Sequence, residues 1–213
     1  VLGFPLENAE QFLLSPYSFG VMESFAVPFT HTGMTAETSL GGGVDVLAGF
    51  TRGLDNWSDN NDDLSFLGRL RWTSPDNGTT AAVAIHTGDE DDRGEANVTI
   101  VSISLQHQLA DRLTYRLLHV VGTADDFAPN SLGGFDDAEW YGISQQLQFK
   151  LTDTLQASIR GEWYRDEDHL TYATAQLGIP HDLAEGGDYS SLTLGLQWFA
   201  MENVVFRPEV RWD

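Results

Sequence analysis

Cysteine is absent from the 213 residues, which excludes a disulfide scaffold, a thiolate zinc site and a cysteine nucleophile. Lysine occurs once, at Lys150, and Lys plus Arg number 11 against 32 Asp plus Glu, a formal charge of -21. Neutralising a phosphate backbone needs a basic face, so nucleic acid is excluded as a general partner. No run approaches the roughly 18 uninterrupted apolar residues of a membrane helix. No segment keeps a 3.6-residue period over three turns, so long amphipathic helices are not expected. The chain opens on Val1-Leu2-Gly3-Phe4 and not on an initiator Met, so it is expected to be a mature, processed or partial chain, and targeting is not legible directly. The mean hydropathy of -0.23 does not separate a soluble protein from a membrane barrel, whose alternating strands average out.

What is present is aromatic residues, glycine and a period of two. The chain carries 21 Gly, 12 Phe, 6 Trp and 6 Tyr. Leu192, Leu194, Leu196 and Trp198 alternate with Ser191, Thr193, Gly195 and Gln197. Leu155, Ala157, Ile159 and Trp163 alternate with Gln156, Ser158, Arg160 and Glu162, and the same pattern recurs around Leu70, Leu147 and Phe206. Alternation of this kind is a strand signature. It predicts about ten strands, at 32–40, 44–53, 64–73, 79–88, 97–108, 112–122, 139–151, 155–165, 188–199 and 203–213. Most are near the 9–11 residues a tilted strand needs to cross a bilayer; globular strands are nearer five or six.

The connections alternate in length. Gly41-Gly42-Gly43, the turns at 74–78, 110–111 and 152–154, and Met201-Glu202 are tight. Those at 54–63, 89–96, 123–138 and 166–187 are long and hold most of the acids. Tight turns at one end and long loops at the other are the rule of an antiparallel up-and-down barrel. Most basic residues instead sit on the polar face of strands. An arginine facing lipid at mid-depth costs roughly 2–4 kcal/mol, so these side chains are expected to face water or counter-charge. The candidate pore-lining residues are Glu37, Asp45, Arg69, Arg71, Arg116, Lys150, Arg160, Glu162, Arg207, Glu209 and Arg211, with Glu37, Asp45, Glu162 and Glu209 as counter-charges. A soluble sheet with one solvated face would also satisfy them.

The segment Pro28-Phe29-Thr30-His31-Thr32-Gly33 follows a stretch rich in Ser, Tyr and Phe. It precedes a strand, a tight turn, a strand and the loop Leu54 to Asp63, and the chain ends on Arg207-Pro208-Glu209-Val210-Arg211-Trp212-Asp213. In this order the motifs resemble the OmpL-like putative beta-barrel porin-2 family of outer-membrane porins. The resemblance implies a transmembrane all-β barrel with short periplasmic turns, long acidic outer loops and a location in the bacterial outer membrane. It implies a single domain in which residues 1–31 form an irregular, constriction-like segment and 32–213 the wall strands, with Pro28, Phe29, Thr30 and His31 narrowing the pore. Family members are longer, with strands on both sides of this stretch, so the chain is expected to be an internal portion of a longer polypeptide whose closed barrel needs more strands. Outer-membrane lipid and lipopolysaccharide are the expected surroundings, small hydrophilic solutes and ions the permeants, and a homo-oligomer, a trimer by analogy, the assembly.

Catalytic motifs are missing: there is no His-Glu-x-x-His, no Gly-x-Ser-x-Gly and no phosphate-cradling glycine loop. No catalytic residue is assigned and an enzyme is not expected. Asp59, Asn61 and Asp63 alternate as in a calcium loop, but its Gly and distal Glu are missing, so calcium at the acidic loops is a weak expectation and no other cofactor is foreseen. Among the six His, His86 and His107 fall on neighbouring strands and are candidates to face each other. The alternative reading is a secreted soluble all-β module that binds carbohydrate or calcium, with Trp57, Trp140 and Trp163 exposed for stacking on sugars.

Overall fold

The computed structural model describes residues 20–58, 61–171, 180–183 and 187–213. Among these residues eleven strands form one antiparallel sheet: β1 (His31–Gly41), β2 (Val44–Leu54), β3 (Ser65–Thr73), β4 (Thr79–Asp89), β5 (Asn97–Ala110), β6 (Leu113–Pro129), β7 (Phe135–Lys150), β8 (Leu155–Asp166), β9 (Asp188–Met201), β10 (Val204–Phe206) and β11 (Glu209–Trp212). Each of β1 to β8 pairs with its successor, and β10 and β11 both pair with β9. This is the up-and-down order that period-two alternation and tight hairpins predict. β1 forms one edge of the sheet and β10 and β11 the other, and among the described residues these edges do not pair with each other.

Tight turns lie at one end. At Gly41, Gly42 and Gly43 the backbone takes φ of 85°, 62° and 80°, conformations that only glycine adopts at low cost. At the other end the structure departs from the sequence reading. The expected loop at 123–138 is largely a continuation of β6 and β7, which pair as far as Pro129 and Phe135 around a turn closed by Asn130 N–H donating to Gly134 O at 3.0 Å. Small buried residues (Ala124, Ala128 and Ala138) let the strands run on. A register shift between Ala124 and Ala128, with Asp126 at φ 50°, absorbs the acids. The strand expected at 203–213 is instead two, because Pro208 has no N–H to donate. Its carbonyl still accepts from Leu196 N–H at 3.0 Å, so both halves stay on β9.

The two faces differ. Leu192, Leu194, Leu196 and Trp198 on β9, Leu70 and Trp72 on β3, and Phe206 and Val210 are exposed. The alternate residues are buried: Thr193 at 0%, Gln197 and Ser102 at 1%. No second sheet lies over either face among the described residues. A single layer that buries its polar side chains and exposes its apolar ones is curled round its polar face, the reverse of a soluble sandwich.

Over the polar face of β6, β7 and β8 lies the segment 20–30, a strap whose one wide helical turn is Met22–Ala26. The strand residues beneath it are apolar: Val98, Ile100, Leu118, Val120, Trp140 and Tyr164 cluster with Val21, Met22 and Ala26. The Trp140 indole N–H donates to Ala26 O at 3.2 Å, and Phe25 stacks on Tyr164 with centroids 6.5 Å apart. Gly142 makes the room. A Cβ there would overlap Met22 Sδ and lie 2.7 Å from Trp163 O.

Gly142→Val is therefore expected to lift the strap from the wall and cost about 1–3 kcal/mol through overpacking. The checks are a lower urea midpoint and faster limited proteolysis within 20–30.

Candidate functional site

The register puts the charged residues on one face. Gln106, Arg116, Gln146, Arg160, Thr193 and Arg211 are directly opposite one another in a row that crosses β5, β6, β7, β8, β9 and β11. Ser144, Glu162 and Ser191 form the neighbouring row towards the long loops. Towards the tight turns Ser158, Gly195 and Glu209 form another, and beyond it lie Lys150, Gln156 and Gln197. On the other flank Leu47 is opposite Arg69 and Asp45 opposite Arg71, with Glu37 on β1 opposite Leu47. Ten of the eleven candidate lining residues thus share the buried-side face. The eleventh, Arg207, stands in the break between β10 and β11.

These residues meet in two ion-paired groups. In the first, Arg69 Nη2 lies 2.5 Å from Glu37 Oε1, Arg71 Nη2 lies 3.2 Å from the same atom and 2.9 Å from Asp45 Oδ2. In the second, Arg160 Nε lies 3.3 Å from Glu162 Oε2, both side chains almost wholly buried (2% and 0% exposed). Ser191 Oγ donates to Glu162 at 2.9 Å. Gly20 of the strap sits against the Glu162 carboxylate, where a Cβ would overlap it. Between the groups the row is held by neutral partners: Arg116 Nε donates to Gln106 Oε1 at 2.9 Å. Lys150 reaches past the strand end to Asp153 at 3.0 Å and holds that carboxyl below the usual carboxylate range.

Of the four expected constriction residues, Pro28 is buried, Phe29 is half exposed and Thr30 is partly buried. Thr30 N–H donates to Asp55 Oδ1 at 2.6 Å, and Asp55 N–H donates back to Thr30 O at 3.1 Å. His31 is completely buried and stacks on His86, ring centroids 4.9 Å apart and 24° from parallel. His86 Nε2 lies 3.1 Å from Thr51 Oγ1 and 3.8 Å from Glu90 Oε1. Glu90 accepts from Leu54 N–H at 2.6 Å and Ser65 Oγ at 2.8 Å, and burial pushes its carboxyl up to about 7, helped by Asp89 and Asp55 against those two bonds.

Two expectations change. His86 does not face His107: His86 points to the polar face opposite Leu67 and Ile100. His107 takes the other face, with Nδ1 2.8 Å from Thr79 Oγ1. Trp140 is 3% exposed beneath the strap, so it offers no platform for a sugar, and Trp163 belongs to the apolar face, opposite Ile143. Of the calcium candidates, Asp59 lies outside the described residues. Asn61 Oδ1 accepts from Asp63 N–H at 3.0 Å, and its amide donates to Asp89 O at 2.8 Å. Among the described residues no group of three or more His, Asp or Glu is placed to hold a metal ion. Sequence reasoning missed the strap's anchors (Met22, Phe25, Gly142) and the His31–His86 stack. The available signal was an apolar island, Leu118, Val120 and Trp140, on the polar parity of β6 and β7.

The family described as putative beta-barrel porin-2, OmpL-like, matches residues 7–213. A search of curated proteins gives no match. Among solved structures the chain is similar to the outer membrane channel DcaP of Acinetobacter baumannii, at TM-score 0.62 and 9% identity over 84% of this chain and 55% of that one. It is equally similar to a porin refined at 1.8 Å, at TM-score 0.62 and 9% identity over 86% and 56%. The chain spans about half the length of these structures. At that identity the likeness is one of fold.

Breaking a buried ion pair on one side leaves an uncompensated charge. Arg160→Met is expected to cost roughly 3–5 kcal/mol in a urea titration, and adding Glu162→Gln to recover most of it.

Proposed function

The chain belongs to the OmpL-like putative beta-barrel porin-2 family, and from that premise we propose that it forms the wall of a bacterial outer-membrane porin through which small hydrophilic solutes and ions diffuse passively. The observation that carries this reading is the inversion of the sheet: ion-paired arginines buried on the inner side, leucine and tryptophan exposed on the outer. Hydrocarbon suits the second face and not the first. A barrel in lipid has no free edge, so the wall is completed by further strands on β1 and on β10 and β11.

In this reading the apolar rows meet acyl chains and the polar rows line a water column. The strap lies inside that column over β6 to β8 and narrows it. Its position is fixed by the apolar island below, by Gly20 against Glu162 and by the Thr30–Asp55 pair. Permeants are sorted by size at the strap and by charge along the rows. At the loop end, acids such as Asp55, Asp91 and Asp92 stand outside the strands and draw cations by the far field of a chain with net charge -21. The inner arginines are largely matched by Glu37, Asp45 and Glu162, so they oppose that field only locally. No catalytic step is assigned, and calcium at the acidic loops stays a proposal of simple Coulomb attraction.

Planar-bilayer recording tests this directly. Purified protein is expected to give stepwise ohmic currents and, in a salt gradient, a reversal potential of the sign for cation preference. Neutralising Glu37 and Asp45 together is expected to move that potential towards anions. Absence of current in the reconstituted protein contradicts the porin reading; clear anion preference contradicts the selectivity.

A further inference from the structure

We propose that the junction of His31, His86 and Glu90 is an acid-sensitive hinge, which holds the strap against the wall near neutral pH and lets its 27–31 end go when the medium acidifies. The proposal concerns the strap's attachment. Any effect on permeation rests on the porin reading above.

Four wall elements and the strap converge at this point. His31, the first residue of β1, directly follows the strap. Thr51 and Leu54 come from β2, Ser65 from β3, His86 from β4, and Glu90 follows β4. His31 and His86 have no exposed surface, Thr51 and Ser65 are 1% exposed and Glu90 8%. Among the described residues the charged or titratable groups at the junction are Glu90, 3.8 Å from His86, Asp55 after β2, which acts on His31 and Glu90, and Asp89 at the end of β4, which acts on Glu90. The described residues of β3 and β5 that line the junction, Ser65, Leu67, Val98 and Ile100, carry no charge.

Two imidazoles stacked 4.9 Å apart with no carboxylate between the rings form a contact for neutral rings. Protonating both sets two cations face to face away from water, where like charges repel strongly. Separating the strap end from the wall lets each ring be hydrated. Glu90 acts in the opposite sense. Its carboxyl is pushed up to about 7 in the joined form, so it takes up a proton on joining as the pH falls through that value, and this favours attachment. Loosening the junction near pH 5 therefore takes up two protons at the imidazoles and gives back at most one from Glu90. The net uptake is about one proton, so attachment is tightest near neutrality. The ratio of loose to held strap rises about tenfold per pH unit below about 6.

Because the chain has no cysteine, Phe29→Cys gives a unique spin-label site on the strap, at a half-exposed position. In vesicles of the reconstituted protein the label is expected to be immobile at about pH 7, with a mobile component growing about tenfold per unit below about pH 6. His31→Phe keeps a ring on His86 without the second charge and is expected to hold the label immobile at the lower pH. Should that variant fail to fold, His86→Gln, which can still bond Thr51, is expected to do the same. Glu90→Gln is expected to keep the acid response and make it steeper. A label whose mobility is the same at both pH values, or one released equally in both histidine variants, overturns the hinge. Current recorded from the same vesicles separates the two readings: no current at any pH contradicts the porin, while the label still reports the hinge.

Discussion

The structure depends on one requirement: each inward arginine of a single-layer sheet must meet a counter-charge or a hydrogen-bond acceptor. An unmatched guanidinium on a buried face is costly. The register answers this by placing Glu37 and Asp45 beside Arg69 and Arg71, Glu162 beside Arg160, and Gln106 beside Arg116. Once those pairs exist, the opposite face is free to be mostly apolar. It then presents Leu70, Trp72, Leu194 and Trp198 outward. The same parity fixes both faces, because a one-residue slip would turn the arginines to the outer face and apolar neighbours such as Leu70, Ile159 and Trp212 inward.

The strap is the exception to polar parity. Where it lies, the inner face of β6 and β7 becomes Leu118, Val120 and Trp140, and small residues, Gly142 and the alanines 124, 128 and 138, give it room. Apolar burial therefore does two jobs in this molecule. On the outside, in the porin reading, apolar side chains match an acyl-chain medium, and on the inside they glue a segment of the chain to the wall. The inner contact is anchored at its other end by polar groups, Thr30 with Asp55 and the stacked histidines.

Most of the wall was legible in the sequence because period two reports a face directly. The parity of Leu192 to Trp198 fixed β9, and the arginines of β3 and β8 marked the inner side before any pairing was known. Three things were not legible. The hairpin at 123–138 looked like a loop because its acids outweigh the alternation that continues through Ala124, Ala128 and Ala138. The final strand looked continuous although Pro208 signals a missing donor. The His31–His86 stack joins residues 55 positions apart, and no local pattern announces such a contact. His107 is a candidate to face His86 because its strand is the neighbour, yet in an antiparallel pair neighbouring strands do not guarantee a shared face.

The central claim is that alternate residues of one strand touch different media, and cysteine scanning along β9 in lipid vesicles measures it. In the cysteine-free chain, single substitutions at Ser191, Leu192, Thr193, Leu194, Leu196 and Gln197 would carry a fluorophore probed with lipid-borne quenchers. The account predicts that labels at 192, 194 and 196, which are exposed on the outer face, are quenched from the acyl chains, while labels at 191, 193 and 197, buried on the inner side, are not. Equal quenching on both parities, or quenching on the arginine-bearing parity alone, would contradict it.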